Sequence, residues 1–155
     1  LDLLNSRPLV DGEERDALGS PAGGRRWARE HGGDGSLREL ALLREARDVL
    51  RDVVCGERSP AALGPLLDGV HQIPEFTSDG LQWTVTTPPH ARLAVEVVLA
   101  WAATEEQLPG RLRSCANDEC RLFLLDRSRA NRARWCSMAV CGNREKARRH
   151  YGRTH

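Results

Sequence analysis

The 155 residues suffice for one domain, or for a domain of about 100 residues followed by a small module that needs a metal or disulfides to fold. We find no apolar run of the roughly 20 residues that cross a bilayer and no leader resembling a secretion signal, so we expect a cytoplasmic protein without membrane spans. The net charge of +1 hides an asymmetry, since residues 1–110 carry 11 Arg against 18 Asp and Glu, and residues 111–155 balance to +8. This split indicates that the C-terminal segment binds an anionic partner or that the two halves attract each other.

Helical signals dominate the first half of the chain. Ser20 and Pro21 have the residue types of an N-cap and a first helical position, which predicts a short helix that ends at Gly32. The clearest helix spans 37–55, because Ser36 and Glu39 fit a capping box and apolar residues recur at helical spacing. Cys55 ends that apolar stripe, and we expect it to be a buried core thiol.

Residues 59–110 are expected to combine a strand pair with two helices. Ser59-Pro60 predicts a shorter helix, and the alternation in 81–86 predicts a strand with Leu81, Trp83 and Val85 on one face. Residues 73–76 are expected to pair with that strand, and Trp83 is expected to pack in the core. A helix from about 88 to 107 is apolar nearly all round, which is typical of a central buried helix. Pro109-Gly110 then marks the predicted boundary between residues 1–110 and 111–155.

Four of the five cysteines lie within 27 residues at the spacing C-x4-C-x15-C-x4-C. Two ligand pairs, each on a tight turn, allow four thiolates to converge tetrahedrally on one Zn²⁺. We therefore predict a structural zinc site; its ligands are Cys115, Cys120, Cys136 and Cys141. The alternatives are buried or disulfide-bonded thiols, and an iron–sulfur cluster, for which the usual C-x2-C runs are missing.

The residues around these cysteines resemble a known family. Residues 115–144 are similar to the CGNR zinc finger, which is named for the tetrapeptide at 141–144 and whose pattern includes the R-W-C-S-M segment at 134–138. The family pattern also includes an F-x-D-x-S segment. In residues 123–128 the spacing from Phe123 to Asp126 is one residue longer than in that segment. Residues 1–110 resemble, more loosely, the ABATE domain that typically precedes this finger, through 1–6, 16–18 and Trp27. The resemblance implies a bacterial, stress-induced transcription regulator that holds zinc.

A basic surface is the remaining functional signal of the C-terminal segment. Guanidinium groups bind phosphate bidentately, and a helix held on a zinc site can enter a major groove. We therefore predict DNA contacts from eight basic residues: Arg127, Arg129, Arg132, Arg134, Arg144, Lys146, Arg148 and Arg149. In this hypothesis the N-terminal domain senses a signal or forms a homodimer, and the effector is unknown.

Two other interpretations of the chain remain. In the first, the finger is a protein–protein interaction module that never touches nucleic acid, or its basic helix docks on the acidic half. In the second, the chain is an enzyme, which we do not expect, because four thiolates fill the coordination sphere and no phosphate loop or nucleophile motif is present. The expected fold class is α+β, a mostly helical N-terminal domain with a small strand pair followed by a four-cysteine zinc finger.

Overall fold

The computed structural model describes residues 1–10 and 12–151, and for Arg149 the backbone alone. The fold is α+β, as expected. Its helices are α1 (Pro21–Glu30), α2 (Leu37–Val54), α3 (Arg92–Gln107) and α4 (Asn143–Tyr151). Short 3-10 segments occupy Pro60–Leu67 and Pro89–Ala91.

Six strands form three antiparallel pairs within the described residues. They are β1 (Leu9–Val10) with β2 (Glu13–Glu14), β3 (His71–Thr77) with β4 (Gly80–Thr86), and β5 (Leu112–Ser114) with β6 (Phe123–Leu125). The predicted hairpin is present in the expected register, with Phe76 opposite Leu81 and Pro74 opposite Trp83. No helix of the described residues is long and apolar enough to cross a membrane.

The predicted helix starts are correct, with one difference in detail. The Ser20 hydroxyl accepts a hydrogen bond from Gly23 N at 3.1 Å, and the Ser36 hydroxyl accepts one from Glu39 N at 3.1 Å. The other hydrogen bond of a capping box, from Ser36 N to the Glu39 carboxylate, is absent, so this part of the prediction is wrong. The Glu39 carboxylate accepts from Gly35 N at 2.7 Å instead. Ser36 N donates to the Asp34 carboxylate, which leaves Glu39 free to turn inward and become buried.

The core lies between α2, α3 and the 3-10 segment Pro60–Leu67, and it includes residues of the first turn and of the C-terminal segment. Its central members are the stripe of α2, residues Leu40, Leu43, Ala46 and Leu50. Leu3 and Leu4 from the first turn pack on this stripe, and so does Phe123 from β6. The predicted boundary at residue 110 is therefore crossed by a single apolar core.

An ion pair between buried Arg47 and half-buried Asp16 lies beside this core. The Arg47 guanidinium, on α2, donates to the Asp16 carboxylate at 2.6 and 2.9 Å and to the Ser6 hydroxyl at 2.9 Å. Burial of Arg47 acts to lower its pKa, but the Asp16 carboxylate more than offsets this and raises it. The paired geometry satisfies a charge that would be costly to bury alone.

Three expectations about burial are wrong. Cys55 is exposed, because α2 ends at Val54 and the thiol lies beyond the packed stripe. Helix α3 is buried on one face only, and Ala100 and Ala103 are exposed, since Ala100 lines clefts beside the first turn that are open to solvent. Trp83 is also exposed, because the β3–β4 hairpin projects from the body of the protein and does not pack on it.

Candidate metal centre

The structure brings all four predicted cysteines of the C-terminal segment together. Their sulfur atoms lie within 4.8 Å of one another, and none of them forms a disulfide. The Sγ atom of Cys136 lies 3.6 Å from those of Cys120 and Cys141. Four sulfurs at about 2.3 Å from a tetrahedral zinc ion would stand about 3.8 Å apart, so the arrangement fits that metal. Cysteines merely buried in a core have no reason to converge in this way.

Each cysteine pair is held by a tight turn. In the first, Cys120 N donates to Asn117 O at 2.8 Å, which closes the loop between Cys115 and Cys120. In the second, the Ser137 hydroxyl accepts from Val140 N at the start of a π-helical turn, Met138–Gly142, that leads into α4. This turn places Cys141 just before the helix, where the helix dipole favours a thiolate.

Hydrogen-bond donors point at the sulfur atoms. The buried Asn117 amide donates to the Sγ atom of Cys141 at 3.5 Å, and Cys136 N donates to that of Cys115 at 3.4 Å. Burial and the neighbouring thiols raise the pKa of Cys136. Although burial opposes it, the pKa of Cys141 is lowered by hydrogen bonds from the Asn117 amide and the other thiols. In this crowded site with hydrogen-bond donors around the sulfur atoms, a bound divalent cation would stabilise the thiolate form of the cysteines.

A packed aromatic covers the second cysteine pair. A Cβ added at Gly142 would lie 2.8 Å from the Met138 Cε atom and 3.2 Å from the Trp135 Cδ1 atom. The glycine of the CGNR tetrapeptide therefore leaves room for Met138 and Trp135. The Arg134 guanidinium lies 5.0 Å from the centre of the Trp135 ring, on its face.

Asp126 organises the long loop between the two cysteine pairs. Its buried carboxylate accepts hydrogen bonds from Ser128 N at 2.8 Å, Ala133 N at 2.7 Å and the Arg113 guanidinium at 3.1 Å. The hydrogen bonds from Ser128 and Ala133, with the charge of Arg113, hold the pKa of Asp126 at about 2. The finger pattern includes Asp126, but the sequence gives no signal of this role. Nor does it give one for Asn117, which lies inside the first C-x4-C segment.

The predicted basic residues lie on the exposed surface of this finger. Seven have described side chains, and all seven are exposed: Arg127, Arg129, Arg132, Arg134, Arg144, Lys146 and Arg148. The side chain of Arg149 lies outside the described residues. Two of the seven form ion pairs with Glu119, which lies between Cys115 and Cys120. Its carboxylate is 3.7 Å from Arg144 and 3.1 Å from Arg148. Arg148 also lies 3.8 Å from Glu145, three positions earlier in α4.

No ion pair among the described residues joins these basic residues to the acidic N-terminal half. Among the described residues, the ion pairs of Arg144 and Arg148 are formed within the finger, and Arg127, Arg129 and Arg132 form none. The contact between the two halves uses another arginine, because Arg121 pairs with Glu14. The predicted alternative in which α4 docks on residues 1–110 thus receives no support from any described ion pair.

The strand pair and the four-cysteine knuckles define this segment as a finger of the zinc-binding type. Comparison with known families agrees, since the CGNR zinc finger matches residues 111–154. The ABATE family, described as "Putative stress-induced transcription regulator", matches residues 1–112. The chain belongs to the ABATE family and carries a CGNR zinc finger at its C-terminal end. Among curated proteins, no significant match was found.

Proposed function

We propose that the protein is a transcription regulator whose finger holds one structural Zn²⁺ and binds DNA. The four thiolates of Cys115, Cys120, Cys136 and Cys141 would be the ligands, and the ion would supply folding free energy to the finger. A filled thiolate sphere leaves no open position for substrate, so the proposed role of the metal is structural, and we propose no catalytic role for this site. Residues 1–110 would form the sensing or dimerising domain and 111–155 the DNA-binding domain.

One observation supports DNA binding above the alternatives. The finger presents arginines on the loop before Cys136 and on α4 after Cys141, and no described carboxylate of residues 1–110 pairs with them. Arg127, Arg129 and Arg132 lie on a loop whose backbone Asp126 holds, so the segment that carries them is fixed before any ligand arrives. Guanidinium groups on a fixed loop suit the phosphates of a nucleic-acid backbone.

The zinc proposal is tested by metal analysis of the purified protein. We expect one zinc per chain, and we expect Cys136→Ser to lose it. Cys55→Ser is the matched control, because Cys55 is the fifth cysteine and lies outside the cluster. Protein that contains iron, or no metal at all, would contradict the assignment.

The DNA proposal is tested by fluorescence anisotropy with a labelled duplex at low salt. Zinc-loaded protein should bind the duplex, and protein stripped by a chelator should bind it much more weakly, because the loop and α4 depend on the metal for their positions. Restoring zinc should restore binding. Equal affinity with and without zinc would show that the finger is not the binding element.

A protein-interaction module is the second candidate. The turn before Cys141 supports it, since Met138 and Val140 are large apolar side chains left exposed between the two groups of arginines. Apolar side chains at a basic surface also fit a protein partner. Absence of DNA binding by zinc-loaded protein would favour this candidate over the first.

A further inference from the structure

The hairpin of β3 and β4 is exposed over its whole length. Every residue of β3 is exposed, and in β4 only Gly80 is partly buried. A two-stranded hairpin is marginal in water unless its apolar face packs on something else. This hairpin therefore has an apolar side for which the described chain offers no cover.

The register assigns the side chains of the hairpin to two faces. The cross-strand pairs Gln72–Val85, Pro74–Trp83 and Phe76–Leu81 alternate with the other pairs and so share one face. We call this the apolar hairpin face; its members are Gln72, Pro74, Phe76, Leu81, Trp83 and Val85. It has no charged residue, although 29% of the chain is charged. The opposite face is polar apart from Ile73.

The exposed area of this face suits a weak dimer. Phe76 is 84% exposed, Trp83 58%, Leu81 49% and Val85 37%. With aromatic side chains of about 150–250 Å², the face offers roughly 450 Å² of apolar surface. Two copies stacked on this face would bury about 900 Å² in total, which is the size of a weak, reversible interface.

From these observations we propose that the apolar hairpin face is a homodimer interface, in which two copies stack this face across a two-fold axis. A face without charges requires a partner face without charges, and a second copy supplies one of matching size at the protein's own concentration. Stacking the two hairpins face to face would give the sheet-on-sheet packing found in sandwiches, about 10 Å apart. A symmetric contact of this kind brings no like charges together.

The surroundings of the face agree with this arrangement. A cleft at its base is lined by Val85 from the hairpin and by Arg92, Val95 and Glu96 from α3. Arg92 and Glu96 pair with each other at 2.6 Å, so the two charges that line this cleft are mutually neutralised. The zinc site and the arginines of the finger lie on other elements, so dimerisation leaves them open.

Sedimentation equilibrium of the zinc-loaded full-length chain, without nucleic acid, tests the proposal. We expect a monomer–dimer equilibrium and at least a tenfold rise in Kd for Phe76→Asp, which would bury two facing carboxylates. Ile73→Asp is the matched control, because Ile73 lies on the opposite face of the same hairpin and is 52% exposed. It should change Kd by less than twofold.

Circular dichroism confirms that each variant keeps the wild-type helix content, and Leu81→Ser replaces Phe76→Asp if that variant does not fold. Wild-type protein that stays monomeric up to several hundred micromolar would overturn the proposal. So would equal effects of Phe76→Asp and Ile73→Asp, since the interface would then lie elsewhere. Monomeric protein that sediments with phosphatidylcholine vesicles would assign the face to a membrane surface. Because the sample contains no DNA, none of these outcomes depends on whether the protein binds DNA.

Discussion

The side-chain amide of Asn5 binds the backbone of Phe123, 118 positions away, through both of its polar groups. Phe123 N donates to the Asn5 Oδ1 atom at 2.7 Å, and the Asn5 Nδ2 group donates to Phe123 O at 3.1 Å. The Asn5 side chain thus takes the place of a neighbouring strand along the open edge of β6. Through this contact the first turn of the chain fixes the finger to the helical core.

Replacing Asn5 should therefore destabilise the whole protein. Asn5→Ala leaves the N–H and C=O groups of Phe123 without partners beside a buried ring, and we expect a loss of about 2 kcal/mol in the free energy of unfolding. Urea denaturation followed by circular dichroism measures it. Gln107→Ala, at the exposed end of α3, should change stability little. A loss below about 0.5 kcal/mol for Asn5→Ala would show that water satisfies these groups equally well.

Loss of the metal should also reach the helical core. Phe123 is buried against α2, and the Arg51 guanidinium lies 5.0 Å from the centre of its ring. Disordering the finger would remove this side chain from the core, a change that costs about 3–5 kcal/mol in comparable deletions. Cys136→Ser should therefore lower the melting temperature of the helices by about 10 °C.

The control for that experiment is Cys55→Ser, which leaves the cluster intact. We expect its melting temperature to equal that of the wild type. If Cys136→Ser melts like the wild type as well, the helices do not depend on the finger. The predicted boundary at residue 110 would then also be a folding boundary.

The carboxyl group of Glu39 makes stability depend on pH. Burial raises its pKa and the neighbouring Asp34 adds to the rise, while the hydrogen bond from Gly35 N opposes it. A carboxyl whose pKa is raised in the folded state contributes stability below its ordinary value of 4.5, and this contribution is lost as the pH rises through the folded value. Glu39→Gln cannot ionise and keeps an acceptor for Gly35 N.

We therefore expect Glu39→Gln to gain stability relative to the wild type as the pH increases from 4.5 towards neutrality. Thermal unfolding at a series of pH values measures this difference. Glu45→Gln, an exposed position on the same helix, should show no such trend. A constant difference between Glu39→Gln and the wild type across this range would show that Glu39 titrates alike in both states.

The loop that carries Arg127, Arg129 and Arg132 should depend on Asp126. In Asp126→Asn one of the two oxygens becomes an NH₂ group, so the side chain loses either the bond from Ser128 N or the bonds from Ala133 N and Arg113. We expect the duplex affinity to fall about tenfold although no cation is removed. Asp79→Asn, at the hairpin turn, is the control. Unchanged affinity for Asp126→Asn would mean that the loop needs no fixed geometry to bind.

Local signals in the sequence predicted the elements and the metal site, because both depend on residues close together along the chain. The Ser20 and Ser36 caps, the hairpin alternation and the C-x4-C pairs are of this kind, and all three appear in the structure. What lies over each element depends on distant residues. The apolar residues of β4 and α3 were therefore interpreted as core, although the fold leaves Trp83 and Ala100 exposed. The Asn5–Phe123 contact has no sequence signal, since either residue type alone is common.

Glu119 provides a gain-of-function test of the basic surface. Its carboxylate lies near Arg144 and Arg148 and neutralises part of their charge. If these arginines face phosphates, Glu119→Gln should strengthen duplex binding and steepen its salt dependence. Glu75→Gln in the hairpin is the control. Weaker binding by Glu119→Gln would indicate that the ion pairs serve to position α4.

The salt dependence of duplex binding by the zinc-loaded full-length protein tests DNA recognition most directly. Each phosphate contact contributes about 0.9 to the slope of log K against log salt concentration. We expect Arg129→Ala with Arg132→Ala to lower the slope by about two units, and Arg38→Ala with Arg58→Ala, in the acidic half, to leave it unchanged. Absence of binding at low salt, or a slope that the finger substitutions do not change, would contradict the proposal that this finger binds DNA.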